Sequence, residues 1–124
     1  MSRTVLIADD EANLLNLLKD NLEESGYTVL TATDGEEALH LWLENRPDVI
    51  VLDIEMPKMN GWQVLEEVRR VSKDKELPVI LVLSAYTQPE DIRRGLKLGA
   101  NKYLTKPFKL KVLVESIEEF LKKN

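Results

Sequence analysis

Short apolar runs alternate with amphipathic segments along the whole chain. Each run is bounded by polar or turn-forming residues, which is typical of β-strands. The third run does not alternate between apolar and polar residues, and this indicates a strand that is buried on both faces. The predicted strands are Val5–Ala8, Thr28–Ala32, Val49–Leu52, Val79–Leu83 and Asn101–Thr105.

Between the strands, apolar residues recur at the spacing of a helix. Asp34 is a predicted N-cap, and Gly26 and Gly99 are predicted to close helices at positions that favour glycine. The fourth helix, predicted at Glu90–Leu98, is short and contains Gly95, which costs ~1 kcal/mol relative to alanine. The predicted buried faces of the other four helices are Leu14, Leu15, Leu18 and Leu22; Ala38, Leu39, Trp42 and Leu43; Val64, Leu65, Val68 and Val71; and Leu113, Ile117, Phe120 and Leu121.

This alternation of strands and helices predicts one fold class. Right-handed βαβ connections place helices on both faces of a parallel sheet. We expect an α/β fold with a doubly wound, five-stranded parallel sheet, and the common strand order 2-1-3-4-5 puts the first and third strands side by side. The chain has 124 residues and no linker or internal repeat, so we expect residues 1–124 to form one domain.

Composition narrows the functional classes. With 17 basic and 22 acidic residues, the net charge is −5, which argues against direct binding to nucleic acid. No apolar run approaches the ~20 residues of a membrane-spanning helix, so we expect no membrane insertion. The chain contains no cysteine, which excludes disulfides and thiolate metal sites. A signal peptide is not expected before the first strand, and the predicted location is cytoplasmic.

Polar residues follow four of the five predicted strands. Asp9 and Asp10 follow the first strand, Asp53 the third, Ser84 the fourth and Lys106 the fifth. Carboxyl ends of parallel strands meet at one edge of the sheet, where ligands bind. Carboxylates held this close repel one another unless a cation intervenes, and oxygen ligands suit Mg²⁺. Together with an ammonium and a hydroxyl group, they form a cradle for a phosphoryl group that a carboxylate can accept.

These residues resemble the motifs of a bacterial two-component response-regulator receiver domain, and the chain is similar throughout to single-domain chemotaxis-type regulators. The resemblance implies a flavodoxin-like (βα)5 fold and a phosphorylation-activated switch. Each motif is weak alone, but all of them in order on five strand–helix units are specific. The matching residues are Asp9 and Asp10, Asp53 with Met56, Pro57 and Gly61, Ser84 with Ala85, and Lys106 with Pro107.

The resemblance also implies a role for each site residue. Asp53 is expected to accept the phosphoryl group, and Asp10 to ligate Mg²⁺ directly while Asp9 holds it through water. The main-chain carbonyl of Glu55 is expected to be a further metal ligand. Lys106 is expected to pair with the phosphoryl group and with the Asp53 carboxylate.

Two more residues are expected to carry the response. Ser84 matches the hydroxyl that moves onto a phosphoryl oxygen, and Tyr103 matches the aromatic ring that turns inward when the hydroxyl moves. The Lys106–Pro107 peptide bond is expected to be cis. Glu55 and Tyr86 stand at positions that tune the lifetime of the aspartyl phosphate in the family, and the sequence does not fix the direction of their effect.

Each residue also has a purely structural interpretation. Asp10 alone could cap the first helix, and Asp53 alone could open a loop. His40 is expected to be exposed without a catalytic role, and Trp42 and Trp62 to pack rather than stack on a nucleotide.

The alternative function is a Mg²⁺-dependent phosphohydrolase with an aspartyl nucleophile, although the expected second acid–base aspartate is replaced by Glu55. A flavin-binding domain is less compatible, because three acidic residues occupy the phosphate-loop position.

The expected phosphoryl donor is a sensor histidine kinase or a histidine phosphotransfer protein. Between Arg93 and Lys111 there are seven basic residues and no acidic one. This segment covers the fourth helix, the fifth strand and the start of the fifth helix, which is the signalling face in the family. We expect a downstream protein partner with an acidic surface to dock there. Asn101 and Lys102 replace the acidic pair of winged-helix regulators, so dimerisation of that class is not expected.

Overall fold

The computed structural model describes residues 3–72 and 77–122, and five strands alternate with five helices in that part of the chain. The parallel sheet has the order β2-β1-β3-β4-β5, which confirms the predicted fold class and strand order. The elements are β1 (Thr4–Ala8), α1 (Ala12–Glu24), β2 (Thr28–Ala32), α2 (Gly35–Asn45), β3 (Val49–Asp53), α3 (Gly61–Val71), β4 (Val79–Ser84), α4 (Pro89–Lys97), β5 (Lys102–Thr105) and α5 (Leu110–Lys122).

The core consists of two apolar layers, one on each face of the sheet. Successive side chains of a strand point to opposite faces, so β1 sends Leu6 to one layer and Val5 and Ile7 to the other. Helices α2 and α3 cover the first layer with Trp42, Leu65 and other side chains. Helices α1 and α5 cover the second layer. Strands β3 and β4 are fully buried, which confirms the prediction made for β3 from its apolar run.

Several helix ends follow the local sequence signals. The Asp34 side chain accepts a hydrogen bond from the main-chain N–H of Glu37 at 2.8 Å, which caps α2. Gly26 and Gly99 have positive φ angles of 97° and 114° just beyond α1 and α4. The first turn of α1 is different, because Glu11 occupies the N-cap position without a side-chain cap. Asp10 is therefore not the cap of this helix.

One predicted buried position is wrong. Leu43 is 46% exposed, while Leu41 packs against the layer that contains Trp42. Residues one and two positions apart on a helix point in different directions, so the centre of the buried stripe fixes which leucine is covered. In α2 the stripe is centred on Ala38 and Trp42, and Leu43 lies beyond its edge.

Candidate functional site

The strand order brings the predicted site residues to one edge of the sheet. β1 and β3 are neighbours at its centre, so the residues after β1 lie beside Asp53, the last residue of β3. β4 pairs with β3 in a register that sets Asp53 opposite Leu83, the residue before Ser84. Lys106 follows β5, and its main-chain N–H donates to the carbonyl of Ser84 at 2.8 Å. The Lys106–Pro107 bond is cis, as expected.

Asp9 is completely buried and is held from two sides. One carboxylate oxygen accepts from the main-chain N–H of Glu11 at 2.9 Å, and the other accepts from Lys106 Nζ at 3.3 Å. A buried charge is tolerated only when it is paired and hydrogen-bonded. Asp10 is exposed beside it, so the two adjacent carboxylates differ in their access to solvent.

Asp53 is 1% exposed and lies within reach of the same lysine. Lys106 Nζ is 3.4 Å from Asp53 Oδ1, and the main-chain N–H of Glu55 donates to that oxygen at 3.3 Å. One ammonium group therefore bridges the carboxylates of Asp9 and Asp53. Among the described residues, Lys106 supplies one positive charge beside the three carboxylates of Asp9, Asp10 and Asp53, so the cluster has an excess of negative charge.

The carboxylates of Asp9, Asp10 and Asp53 offer oxygen atoms that all lie within 4.8 Å of one another. An all-oxygen, anionic donor set with no histidine or cysteine fits a hard divalent cation such as Mg²⁺. The excess negative charge of the cluster supports the same conclusion. The residues present therefore fit a divalent cation.

The electrostatics of this cluster change the protonation of Asp53. Burial, together with the charges of Asp9 and Glu55, raises the pKa of the Asp53 carboxyl from 3.8 to about 7, even though the charge of Lys106 lowers it. Burial disfavours the charged form of Lys106, but the carboxylates of Asp53 and Asp9 outweigh it and raise the pKa of the ammonium group. The lysine is therefore charged, and the aspartate is poised between its two forms at neutral pH.

Ser84 is completely buried at the end of β4. Its hydroxyl donates to Glu55 Oε1 at 3.1 Å, and its oxygen accepts from the main-chain N–H of Tyr86 at 2.9 Å. The main-chain N–H of Ala85 also points to Glu55 Oε1, at 3.3 Å. Sequence reasoning assigned the Glu55 carbonyl to the metal site and related position 55 to the lifetime of the aspartyl phosphate, but it missed the contact of the Glu55 side chain with Ser84.

Tyr103 connects this loop to the surface of the domain. Its hydroxyl donates to the carbonyl of Tyr86 at 2.9 Å. Its ring stacks on Trp62 with the ring centres 6.4 Å apart, and the guanidinium of Arg94 lies 4.4 Å from the centre of the Trp62 ring. Trp62 is thus a packing residue, as predicted, but it packs against the predicted switch residue.

Gly95 explains how α4 approaches this aromatic pair. A Cβ atom at position 95 would lie 2.9 Å from Cδ2 of Tyr103 and 3.4 Å from the Trp62 ring. The φ angle of Gly95 is not positive, so the absence of a side chain, not an unusual backbone, is what this position requires. His40 lies elsewhere, exposed on α2 and paired with Glu44.

Comparison with known proteins identifies the family. The response regulator receiver domain profile matches residues 5–118. The chain belongs to the response regulator receiver domain family. It is 40% identical over 124 residues to the alkaline phosphatase synthesis transcriptional regulatory protein PhoP of Bacillus subtilis, covering 100% of this chain and 50% of PhoP. The predicted family and the two-component function are confirmed.

Solved structures agree with this assignment. The receiver domain of the Francisella response regulator 1452 superposes with a TM-score of 0.92 at 35% identity, covering 98% of each chain. The chemotaxis protein CheY4 of Vibrio cholerae gives a TM-score of 0.88 at 35% identity, covering 97% of this chain and 99% of CheY4. The chain spans about half the length of the curated relatives it matches.

The family defines the general function of this receiver domain. It is a phosphorylation-activated switch of two-component signalling. Receiver domains interact with histidine kinases and generally use Mg²⁺, which is consistent with the acidic cluster. In the described part of the chain, no helix is long and apolar enough to cross a membrane.

Proposed function

We propose that Asp53 accepts the phosphoryl group in this receiver domain. The observation that carries the proposal is the juxtaposition at one sheet edge of a buried carboxylate, two more carboxylates and one bridging ammonium. Asp53 ends the central strand β3. Lys106 contacts both Asp9 and Asp53, so its charge lies where a phosphoryl group on Asp53 would add negative charge.

The proposed donor is the phosphohistidine of a sensor histidine kinase or of a histidine phosphotransfer protein. A carboxylate oxygen of Asp53 attacks phosphorus, and a P–O bond forms as the P–N bond breaks. The imidazole leaves with the bonding electron pair and takes up a proton. Asp53 must be ionised to attack, so the charges that favour its carboxylate also favour the transfer.

Asp9, Asp10, Asp53 and the main-chain carbonyl of Glu55 are the proposed ligands of Mg²⁺. The bound cation would neutralise charge on the phosphoryl oxygens and favour the ionised form of Asp53. Within the protein, Lys106 supplies a fixed positive charge. The buried Ser84 hydroxyl moves to donate a hydrogen bond to a phosphoryl oxygen. This movement of Ser84 shifts the β4–α4 loop.

Tyr103 is the proposed relay from that loop to the surface. Its hydroxyl binds the carbonyl of Tyr86, and its ring packs beside Trp62 and Gly95. A movement of Ser84 changes the position of Tyr86, because the Tyr86 N–H is bonded to the Ser84 oxygen. We propose that phosphorylation shifts a pre-existing equilibrium of this loop and of α4.

The phosphoacceptor assignment is tested by labelling with acetyl phosphate and Mg²⁺. The native chain should acquire an acid-stable, hydroxylamine-labile label, and Asp53→Asn should abolish it. Asp20→Asn is the matched control, because Asp20 is exposed on α1. A label that survives in Asp53→Asn would exclude Asp53 as the acceptor.

The proposed output surface is the α4-β5-α5 face, which would dock an acidic protein partner and not nucleic acid or a membrane, in a cytoplasmic setting. Arg93, Lys97 and Lys109 are exposed there. Two other basic residues of this segment already have partners: Arg94 lies over Trp62, and Lys111 is 3.8 Å from Glu115. The face is therefore basic mainly along α4 and the turn before α5.

Charge reversal tests this surface. The double variant Arg93→Glu/Lys102→Glu should lose the proteins that the phosphorylated chain captures from a lysate, because the acidic partner is repelled. Lys19→Glu on α1 is the control for charge alone. Capture that is unchanged by the double reversal would contradict the assignment of this face.

A further inference from the structure

The carboxylate of Glu55 binds the groups that a phosphoryl group on Asp53 would need. Its Oε1 atom accepts from the hydroxyl of Ser84 at 3.1 Å and from the main-chain N–H of Ala85 at 3.3 Å. Ser84 is the last residue of β4 and Ala85 follows it, so the two donors lie one and two residues beyond the pairing of Asp53 with Leu83. An anion belonging to the protein itself therefore already uses these two donors.

Two hydrogen bonds orient the hydroxyl of Ser84. The oxygen accepts from the main-chain N–H of Tyr86 at 2.9 Å, so its hydrogen points away from that group and toward Glu55. Ser84 is completely buried, which makes loss of a partner costly for the hydroxyl. Glu55 thus accepts a hydrogen bond from this buried hydroxyl while no phosphoryl group is bound at Asp53.

We propose that Glu55 is a positioning residue whose carboxylate holds Ser84 and the N–H of Ala85 in place of a phosphoryl group. This inference rests on the proposed role of Asp53 as the phosphoacceptor. Two anions cannot share the same two donors, so a phosphoryl group displaces Glu55 from them. Glu55 competes with the phosphoryl group for these donors. When no phosphoryl group is present, Glu55 keeps the β4–α4 loop ordered.

The contact reaches the proposed relay as well. Tyr86 follows the two donors directly, and its carbonyl accepts from the hydroxyl of Tyr103. Glu55 therefore fixes one end of a chain of hydrogen bonds that ends at Tyr103. Displacement of Glu55 breaks the first of these hydrogen bonds. Ser84 then donates to the phosphoryl group in place of Glu55.

The first test needs neither metal nor phosphoryl group. In ¹⁵N–¹H NMR spectra of the chain in EDTA, Glu55→Ala should move the amide resonance of Ala85 upfield, because its acceptor is lost, and should also move that of Tyr86. Glu66→Gln, on the exposed face of α3, is the matched control and should move neither. An Ala85 resonance that Glu55→Ala leaves in place would overturn the proposal.

The second test measures the competition. Beryllofluoride with Mg²⁺ is a tetrahedral substitute for the phosphoryl group, and its binding can be followed by ¹⁹F NMR. Glu55→Ala should bind it roughly tenfold more tightly, the scale of one hydrogen bond to a charged group. Glu55→Gln keeps an acceptor oxygen but loses the charge, so its affinity should lie between those of the wild type and Glu55→Ala.

The variants separate competition for donors from simple repulsion. Equal affinities of Glu55→Gln and Glu55→Ala would mean that only the charge matters, and this result would overturn the proposal. Failure of Asp53 to acquire a label from acetyl phosphate would instead reject the phosphoacceptor assignment. The amide resonances would still decide whether Glu55 holds the two donors.

Discussion

Replacing the buried Asp53 carboxylate with an amide should stabilise the metal-free domain at neutral pH. Burial and the charge of Asp9 raise the pKa of Asp53 to about 7. The folded protein therefore holds a proton that the unfolded chain releases, and ionisation of Asp53 costs folding free energy. Asp53→Asn keeps the shape of the side chain and removes that cost.

The magnitude follows from the rise of the pKa. Each tenfold change in proton affinity is worth about 1.4 kcal/mol, so a pKa raised from 3.8 to about 7 corresponds to a cost of about 4 kcal/mol for the ionised carboxylate. The attraction of Lys106 opposes the rise of the pKa and is already included in this value. We expect Asp53→Asn to raise the free energy of unfolding by a few kcal/mol, at most about 4 kcal/mol, above pH 7.

The dependence on pH has a definite sign. Below the pKa of Asp53 in the unfolded chain, near 4, the carboxyl is protonated in both states and the wild type has its full stability. This stability is lost as the pH rises through the pKa of Asp53 in the folded protein, near 7. Wild-type stability should therefore fall relative to Asp53→Asn between about pH 4 and pH 7. Above the folded pKa, the difference between the two proteins should become constant.

Urea denaturation in EDTA at a series of pH values measures the difference. The control is Asp20→Asn on the exposed face of α1, which should differ little from the wild type at any pH. A variant no more stable than the wild type at pH 8 would refute the reasoning, because the buried carboxylate would then carry no folding cost. A gain that persists unchanged at pH 4 would refute it as well, since Asp53 is protonated there in the folded state.

Three further changes have defined outcomes. Mg²⁺ at a hundredfold excess over its Kd should stabilise the wild type by ~2.7 kcal/mol in thermal melts and should stabilise Asp53→Asn much less. Equal stabilisation of the two proteins by Mg²⁺ would mean that the ion binds elsewhere. Gly95→Ala should lower the free energy of unfolding by about 1 kcal/mol despite the helix preference of alanine, because its Cβ would lie 2.9 Å from the Tyr103 ring; a more stable variant would contradict this. Asn101→Ala should cost about 1–3 kcal/mol in urea denaturation and Asn101→Asp less, because Asn101 Oδ1 accepts from the Ile80 N–H at 2.8 Å; equal losses would exclude that acceptor.

Much of the fold was predictable because the strands carry strong local signals. The run Val49–Leu52 is apolar on both faces, and it becomes the fully buried central strand β3. The alternation of such runs with helical stripes fixes the parallel sheet, and the sheet brings the strand ends to one edge. Asp9, Asp53 and Lys106 could therefore be grouped from sequence positions alone, although they are far apart along the chain.

Contacts between neighbouring elements were not predictable in the same way. Leu41 and Leu43 are equivalent by residue type, and only the packing of α2 on the sheet selects Leu41. Asn101 was interpreted through the absence of an acidic pair, yet its side chain also accepts from Arg69 Nη2 at 3.1 Å. Glu55 likewise contacts Ser84 across the site. These contacts depend on side-chain directions after the chain has folded, and no local pattern encodes those directions.

A continuous series of contacts connects the proposed phosphoryl site to the proposed output face. Asp53 is buried beneath the loops, so a new group there cannot itself be the surface that a partner recognises. Ser84 joins the site to the β4–α4 loop through Tyr86, and Tyr103 joins that loop to Trp62. Arg94 on α4 lies over the same Trp62 ring. In the proposed mechanism, a change in the aromatic pair would alter the position of a basic side chain on α4, so that phosphorylation of a buried aspartate would change the distribution of charge on the surface.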